Sequence, residues 1–229
     1  MARPIVTVPA PLMRALQVAW DPDWRGQTSG AFLSGVSRPV NNAFPRWVGQ
    51  APLRLSRDMI LQWRAIEAQA EGRRGIYRVP MIDPLGFDPG ETDTNGYAQT
   101  GVPFSNGQTL ANGLGLAFEP FVTAGAAADA GAVSLRVDTR PSGGFVPRVG
   151  QYLSHDDWPM IVTARRQHAT DFWDLDVQMP LRAAISFGDP IMLRAHGRFE
   201  RPEETPGGLS YGRNQRAEPT LVLQEVLTR

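Results

Sequence analysis

Apolar and polar residues alternate most regularly in the C-terminal half of the chain. In WDLDVQM (173–179), Trp173, Leu175 and Val177 alternate with Asp174, Asp176 and Gln178. That is the period-two pattern of a strand with one buried and one wet face. VSLRVD, VGQYLS, PMIVTARR and DPIMLRAHGRF read the same way. Five short strands in roughly 70 residues predict a small β-barrel or compact sandwich over 124–200.

The N-terminal half is less regular. Residues 4–20 hold partly alternating apolar segments broken by proline, which suits edge strands. Residues 21–37 are turn-rich and predict a short hairpin, and FPRWVGQAPLRL predicts an extended stretch that lays Trp47 and Leu53 on a core. One segment has helical spacing: in SRDMILQWRAIEAQAE (56–71), Met59, Ile60, Trp63, Ile66 and Ala70 form a single apolar stripe. Ser56 is placed to cap the first turn, Asp58 sits where the helix dipole favours negative charge, and Gly72 and Gly75 follow the end. IYRVPMID then has strand composition, which predicts a helix packed across a sheet.

Residues 83–113 are dominated by Gly, Pro, Asn, Asp, Ser and Thr and predict a long surface loop with a hairpin near its middle. Loops of that length commonly serve binding or assembly. GLAFEPFVT reads as a strand, AGAAADAGA as a small-residue linker, and 201–216 as a polar linker. PTLVLQEVL is a final strand with no partner nearby in sequence, so it is expected to return to the first sheet. The predicted fold is mainly β: a β-sandwich-like domain with one packed helix (1–123, completed by 217–229), then a small β-barrel-like domain (124–200) and a linker (201–216).

Composition narrows the function classes. The 229 residues carry 23 basic and 23 acidic groups, so net charge gives no case for nucleic acid or an anionic membrane. Every basic residue is arginine, which suits planar, packed contacts better than lysine does. Cysteine is absent, which excludes disulfides, thiolate zinc sites and thiol catalysis. No apolar run approaches the roughly 20 residues that span a bilayer, and the proline-broken start, MARPIVTVPAP, is unlike a signal peptide. The expectation is a soluble protein folded in the cytoplasm.

The candidate chemistry is sparse. SHDDWP, containing His155, Asp156 and Asp157, offers metal ligands or an acid–base pair, and His168 and Asp171 lie on the next connection, where they could converge on it. Its composition is equally that of a tight turn between two strands, and the solvated-turn reading is preferred. ETDTNG (91–96) imitates the first half of a calcium loop, but Val102 stands where the motif requires its bidentate glutamate. His196 has no second histidine at ligand spacing and reads as a surface or partly packed residue. Trp63 and Trp173 belong to apolar faces. Trp20, Trp24, Trp47 and Trp158 lie in less patterned sequence, where an aromatic contact patch stays open. No nucleophile elbow, zinc-protease or Walker motif is present. The expectation is a non-enzyme with no catalytic residue, metal or cofactor.

Two stretches together resemble the minor and distal tail proteins of long-tailed bacteriophages and gene transfer agents. The first is SRDMILQWRAIEAQAEGRRGIYRVPMID, a Trp-containing helix, a Gly/Arg turn and a strand ending in an acidic loop. The second is AGAAADAGAVSLRVDTRPSGGFVPRVGQYLSHDDWPMIVTARR, continuing through MPLRAAISFGDPIMLRAHGRF. Its family-like elements are Val133–Asp138, Gly150–Ser154, Pro180–Arg182 and Gly188–Ile191. The resemblance covers about half of the chain and departs at HDDWP, where many relatives carry a glycine-rich turn. It implies a structural virion protein of the tail tip, assembled in the host cytoplasm. That protein would form a homo-oligomeric ring, six copies being the first expectation, between the tail tube and the baseplate hub. The alternative from the residues alone is a carbohydrate-binding module using exposed tryptophans and the HDDW and ETDTNG loops. A third is a metal-dependent hydrolase on His155, Asp156 and Asp157.

Overall fold

The computed structural model describes residues 2–13, 19–24, 26–31, 37–40, 45–83, 85–86, 101–116, 118–202 and 216–228. The ETDTNG loop and most of the 201–216 segment lie outside the described residues. The mainly β expectation holds, with 41% strand, 14% helix, one α-helix among the described residues, a closed six-stranded barrel and a mixed sheet. Two compact units result, Met1–Val79 with Arg198–Arg229, and Pro80–Gly197.

In the first unit six strands form one sheet. They are β1 (Ile5–Thr7), β2 (Ala19–Asp23), β5 (Arg46–Pro52), β6 (Ile76–Pro80), β13 (His196–Glu200) and β14 (Thr220–Glu225), in the order β1-β6-β13-β14-β5-β2. The proline-broken segments at 4–20 supply β1 and β2, the two edges, where a missing N–H costs least. β14 pairs antiparallel with β5 from Thr220↔Pro52 to Gln224↔Val48, so the C-terminal strand does return to this sheet. A separate two-stranded hairpin joins β3 (Gln27–Ala31) and β4 (Ser37–Val40).

α1 (Arg57–Ala70) buries Ile60, Trp63, Ile66 and Ala70, while Met59 is only half-buried. Trp63 stacks on Tyr77 of β6 at 6.5 Å, and Glu67 pairs with Arg201 at 2.9 Å. The cap differs from expectation. Ser56 is extended but its side chain makes no cap bond, and the residue that turns the chain left-handed at the end is Glu71 (φ 53°), followed by Gly72 (φ 67°). Trp47, Leu53, Trp20 and Phe199 fill the core, and the buried Glu225 carboxylate accepts the Trp47 backbone N–H at 3.0 Å. Glu225 shares the alternating face of Leu221 and Leu223, so the period of PTLVLQEVL already points this carboxylate inward.

The second unit contains β7 (Phe121–Ala124), β8 (Ser134–Asp138), β9 (Tyr152–His155), β10 (Trp158–Ala169), β11 (Phe172–Gln178) and β12 (Pro190–Met192). They close a barrel in the order β10-β11-β8-β7-β12-β9. Inward residues Val122, Leu135, Val137, Leu153, Val162, Leu175, Val177 and Ile191 make its core. Two sequence readings need correction. The fifth strand, DPIMLRAHGRF, is two strands: β12 stays in the barrel and β13 joins the other sheet, and the buried alternation Ile191, Leu193, Ala195 runs on between them, so the pattern carries no mark of the change of sheet. AGAAADAGA is not a free linker: Ala128 bridges Ile185, Gly131 N–H donates to the Leu181 carbonyl, and Ala128 and Ala132 pack against the barrel core. The barrel also takes in β7, on the N-terminal side of the 123/124 division read from the sequence.

Ahead of the barrel strands, residues 101–116 form an arm held by its own backbone. Val102 and Leu116 exchange two hydrogen bonds, and two tight turns follow six residues apart. Each turn ends on a left-handed glycine, Gly107 and Gly113, both at φ 79°, which is the three-residue hairpin turn with a glycine bulge. Asn106 and Asn112 lock them by accepting the N–H of Gln108 and Leu114.

Candidate functional site

The HDD tip is a two-residue hairpin. His155 pairs with Trp158 across it, and Asp156 (φ 47°) and Asp157 (φ 60°) both take the left-handed conformation of a type I′ turn. That conformation favours Asn-Gly, and aspartate tolerates it only at some cost. The His155 ring turns away from the tip. Its Nδ1–H donates to the Pro190 carbonyl at 3.0 Å, and Nε2 lies 3.9 Å from an Asp189 carboxylate oxygen.

His168 and Asp171 do not converge on it. They lie at the opposite end of β10, ten residues from Trp158, or about 30 Å of extended strand. There His168 Nδ1 faces Asp174 at 3.5 Å, and the Asp171 carbonyl accepts from Thr139. Among the described residues no three His, Asp or Glu groups could hold a metal. His196, read as a surface or partly packed residue, is buried. Its N–H donates to Ser154 Oγ at 2.9 Å, and its Nδ1–H can donate to the Arg194 carbonyl at 3.1 Å.

The tryptophans do not assemble a platform. Trp47 is a core residue at 0% exposure, as the reading of FPRWVGQAPLRL predicts, and Trp20 is buried at 4%, so neither joins the open patch considered from sequence. Trp24 is exposed and Trp158 half-buried. Trp173 packs on the barrel core beneath the Arg165 guanidinium, 5.6 Å from its centroid.

What sequence reading missed is a charged row on the outside of the barrel. Arg136 of β8, Asp174 of β11 and Arg166 of β10 stand directly opposite one another on three adjacent strands. Arg136 Nε donates to Asp174 at 2.8 Å, and Arg166 Nη2 lies 3.7 Å from its other oxygen. Alternation marked Asp174 as outward, but its partners depend on register, which no local pattern encodes. The hydrogen bond from Arg136 holds the Asp174 carboxyl below the usual carboxylate range, with His168 and Arg166 adding to it. Arg140 does the same to Asp138 through a side-chain hydrogen bond.

Both groups have a depressed folded-state pKa. Their stabilisation is therefore present above the unfolded carboxylate value of about 3.9 and disappears as pH falls through the lower folded values. The thermal midpoint of the wild type is expected to drop across that acidic window, and Asp138→Asn with Asp174→Asn to flatten the drop. Calorimetry as a function of pH checks this. Unchanged pH dependence in the double variant would show that these pairs do not govern acid stability.

If the HDD tip is only a turn, Asp156→Asn with Asp157→Gly stabilises the protein by about 1 kcal/mol by relieving left-handed aspartates. Chemical denaturation measures it. A loss of stability would mean the carboxylates make contacts that outweigh the strain.

The chain matches no protein-family model and no curated protein. No helix among the described residues is long and apolar enough to cross a membrane.

Proposed function

We propose that the protein is a structural subunit of a phage-type tail tip, a ring-forming distal or minor tail protein between the tail tube and the baseplate hub. The observation that carries the reading is where the family-like segments fall. SLRVD is β8, Tyr152–Ser154 lie in β9, the Pro180–Arg182 corner follows β11, and Gly188–Ile191 leads into β12. The second resembling stretch therefore supplies the frame of one barrel, while the first forms α1 and β6 of the other unit.

The 101–116 arm supports an assembling role. Phe104, Leu110, Leu114 and Leu116 are 39–51% exposed, and no charged residue falls between Asp93 and Glu119. Apolar, charge-depleted surface is the composition of an interface centre. A closed ring needs two different complementary surfaces on each copy, and the arm would supply one of them against the neighbouring copy.

Light scattering and electron microscopy of the purified chain, with mass spectrometry of purified particles, test the proposal. Rings and presence in particles are expected. A strict monomer that is absent from particles would sink it. Leu110→Asp with Leu114→Asp is expected to leave the thermal midpoint unchanged and to abolish ring formation, because the arm's backbone bonds do not involve those side chains.

A further inference from the structure

Two carboxylates on the same outer face of β11 have opposite surroundings. Asp174 is clamped between Arg136 and Arg166. Asp176, one step along the face, stands between Ser134 on β8 and Ala164 on β10. These are small neighbours, and the Asp176 carboxylate forms no ion pair among the described residues. The Ala126–Ala128 segment runs beside this row with no side chain longer than a methyl group. The result is an open groove of about 340 Å³, lined by both Arg166 and Asp176.

We propose that this groove is a binding site for a neutral saccharide. Its charge balance and its mix of groups favour such a ligand. Two arginines and two aspartates line it, so its formal charge is zero. A cation drawn to Asp176 meets two guanidinium groups one or two residue spacings away, about 5–7 Å, and an anion drawn to Arg166 meets the carboxylates at similar range. Neither ion gains a net field. A hydroxyl group both donates and accepts. Adjacent hydroxyls of a sugar ring can therefore donate to Asp176 while accepting from Arg166 and the Ser134 hydroxyl. The alanine wall offers methyl groups to the ring's C–H face without obstructing it. Asp174 is engaged by the 2.8 Å hydrogen bond from Arg136, so it does not compete for the ligand, while the largely exposed Arg166 guanidinium lines the groove. This site is separate from any tryptophan patch, and the inference stands whether or not the tail-tip reading holds.

Amide chemical-shift mapping of the intact chain tests it, with glucose, galactose, N-acetylglucosamine and their β-linked oligomers as probes and sulfate and free arginine as charged controls. A neutral sugar is expected to shift the amides of Ser134, Asp174 and Asp176 with millimolar affinity. Asp176→Ala is expected to weaken binding about tenfold or more. Ala127→Trp, which fills the groove from an exposed position, is expected to abolish binding while the thermal midpoint stays at the wild-type value. No shift with any sugar would overturn the proposal. So would shifts that map to Trp24 or Trp158, or sulfate or arginine binding the groove more tightly than every sugar tested.

Discussion

Replacing Gly49 by alanine is expected to cost about 3 kcal/mol and to unseat Trp20. Gly49 on β5 is directly opposite Trp20 on β2, and the indole lies flat over the glycine. An added Cβ would fall 2.2 Å from Trp20 Cζ3 and 2.5 Å from Cε3. The indole has nowhere to go, because it is 4% exposed and packs 5.1 Å from the Phe199 ring. An aromatic ring laid over a strand glycine repays the packing that glycine alone cannot supply. The check is a double-mutant cycle by chemical denaturation. In a Trp20→Ala background the same Gly49→Ala change should cost almost nothing. An equal cost in both backgrounds would mean that backbone conformation, not the ring, requires the glycine.

The corresponding change in the barrel is Leu175→Ala, expected to lose about 3–4 kcal/mol. Leu175 is fully buried and lies opposite Leu135, in a core assembled from all six strands. A closed barrel cannot collapse around a deleted side chain as an open sheet can, so most of the cavity should persist. Leu175→Met keeps the volume and should cost less than about 1.5 kcal/mol. Similar losses for the two variants would place Leu175 at a site that relaxes, contrary to its burial.

The parts of this fold legible in sequence are those where a local period meets a single buried face. The α1 stripe and the Trp173-Leu175-Val177 alternation reveal which side of an element is dry. They do not reveal which element lies alongside. Asp174 and Asp176 look alike in WDLDVQM, and only the register of β8 and β10 clamps one and leaves the other open. The extended stretch FPRWVGQAPLRL points Trp47 to a core, but no pattern marks Trp20, beside Asp21 and Pro22, as core. Trp20 is buried over the flat face of Gly49 on the neighbouring strand, a contact set by cross-strand register. His155 drew attention by its type and its aspartate neighbours, yet its ring bonds backwards to the Pro190 carbonyl and the aspartates form the bend.

The barrel unit interrupts the other one in the chain, since Pro80–Gly197 falls between Met1–Val79 and Arg198–Arg229. On a ribosome the barrel is therefore complete before the six-stranded sheet has received β14, the strand that sits beside β5. Throughout that interval β5 presents an unpaired edge and the large apolar side chain of Trp47, the features that invite aggregation. Synthesis order thus divides the molecule into an early, self-sufficient part and a late part whose first half must wait for its last strand. Truncations near the C-terminus should accordingly damage the region encoded first more than the region encoded in the middle.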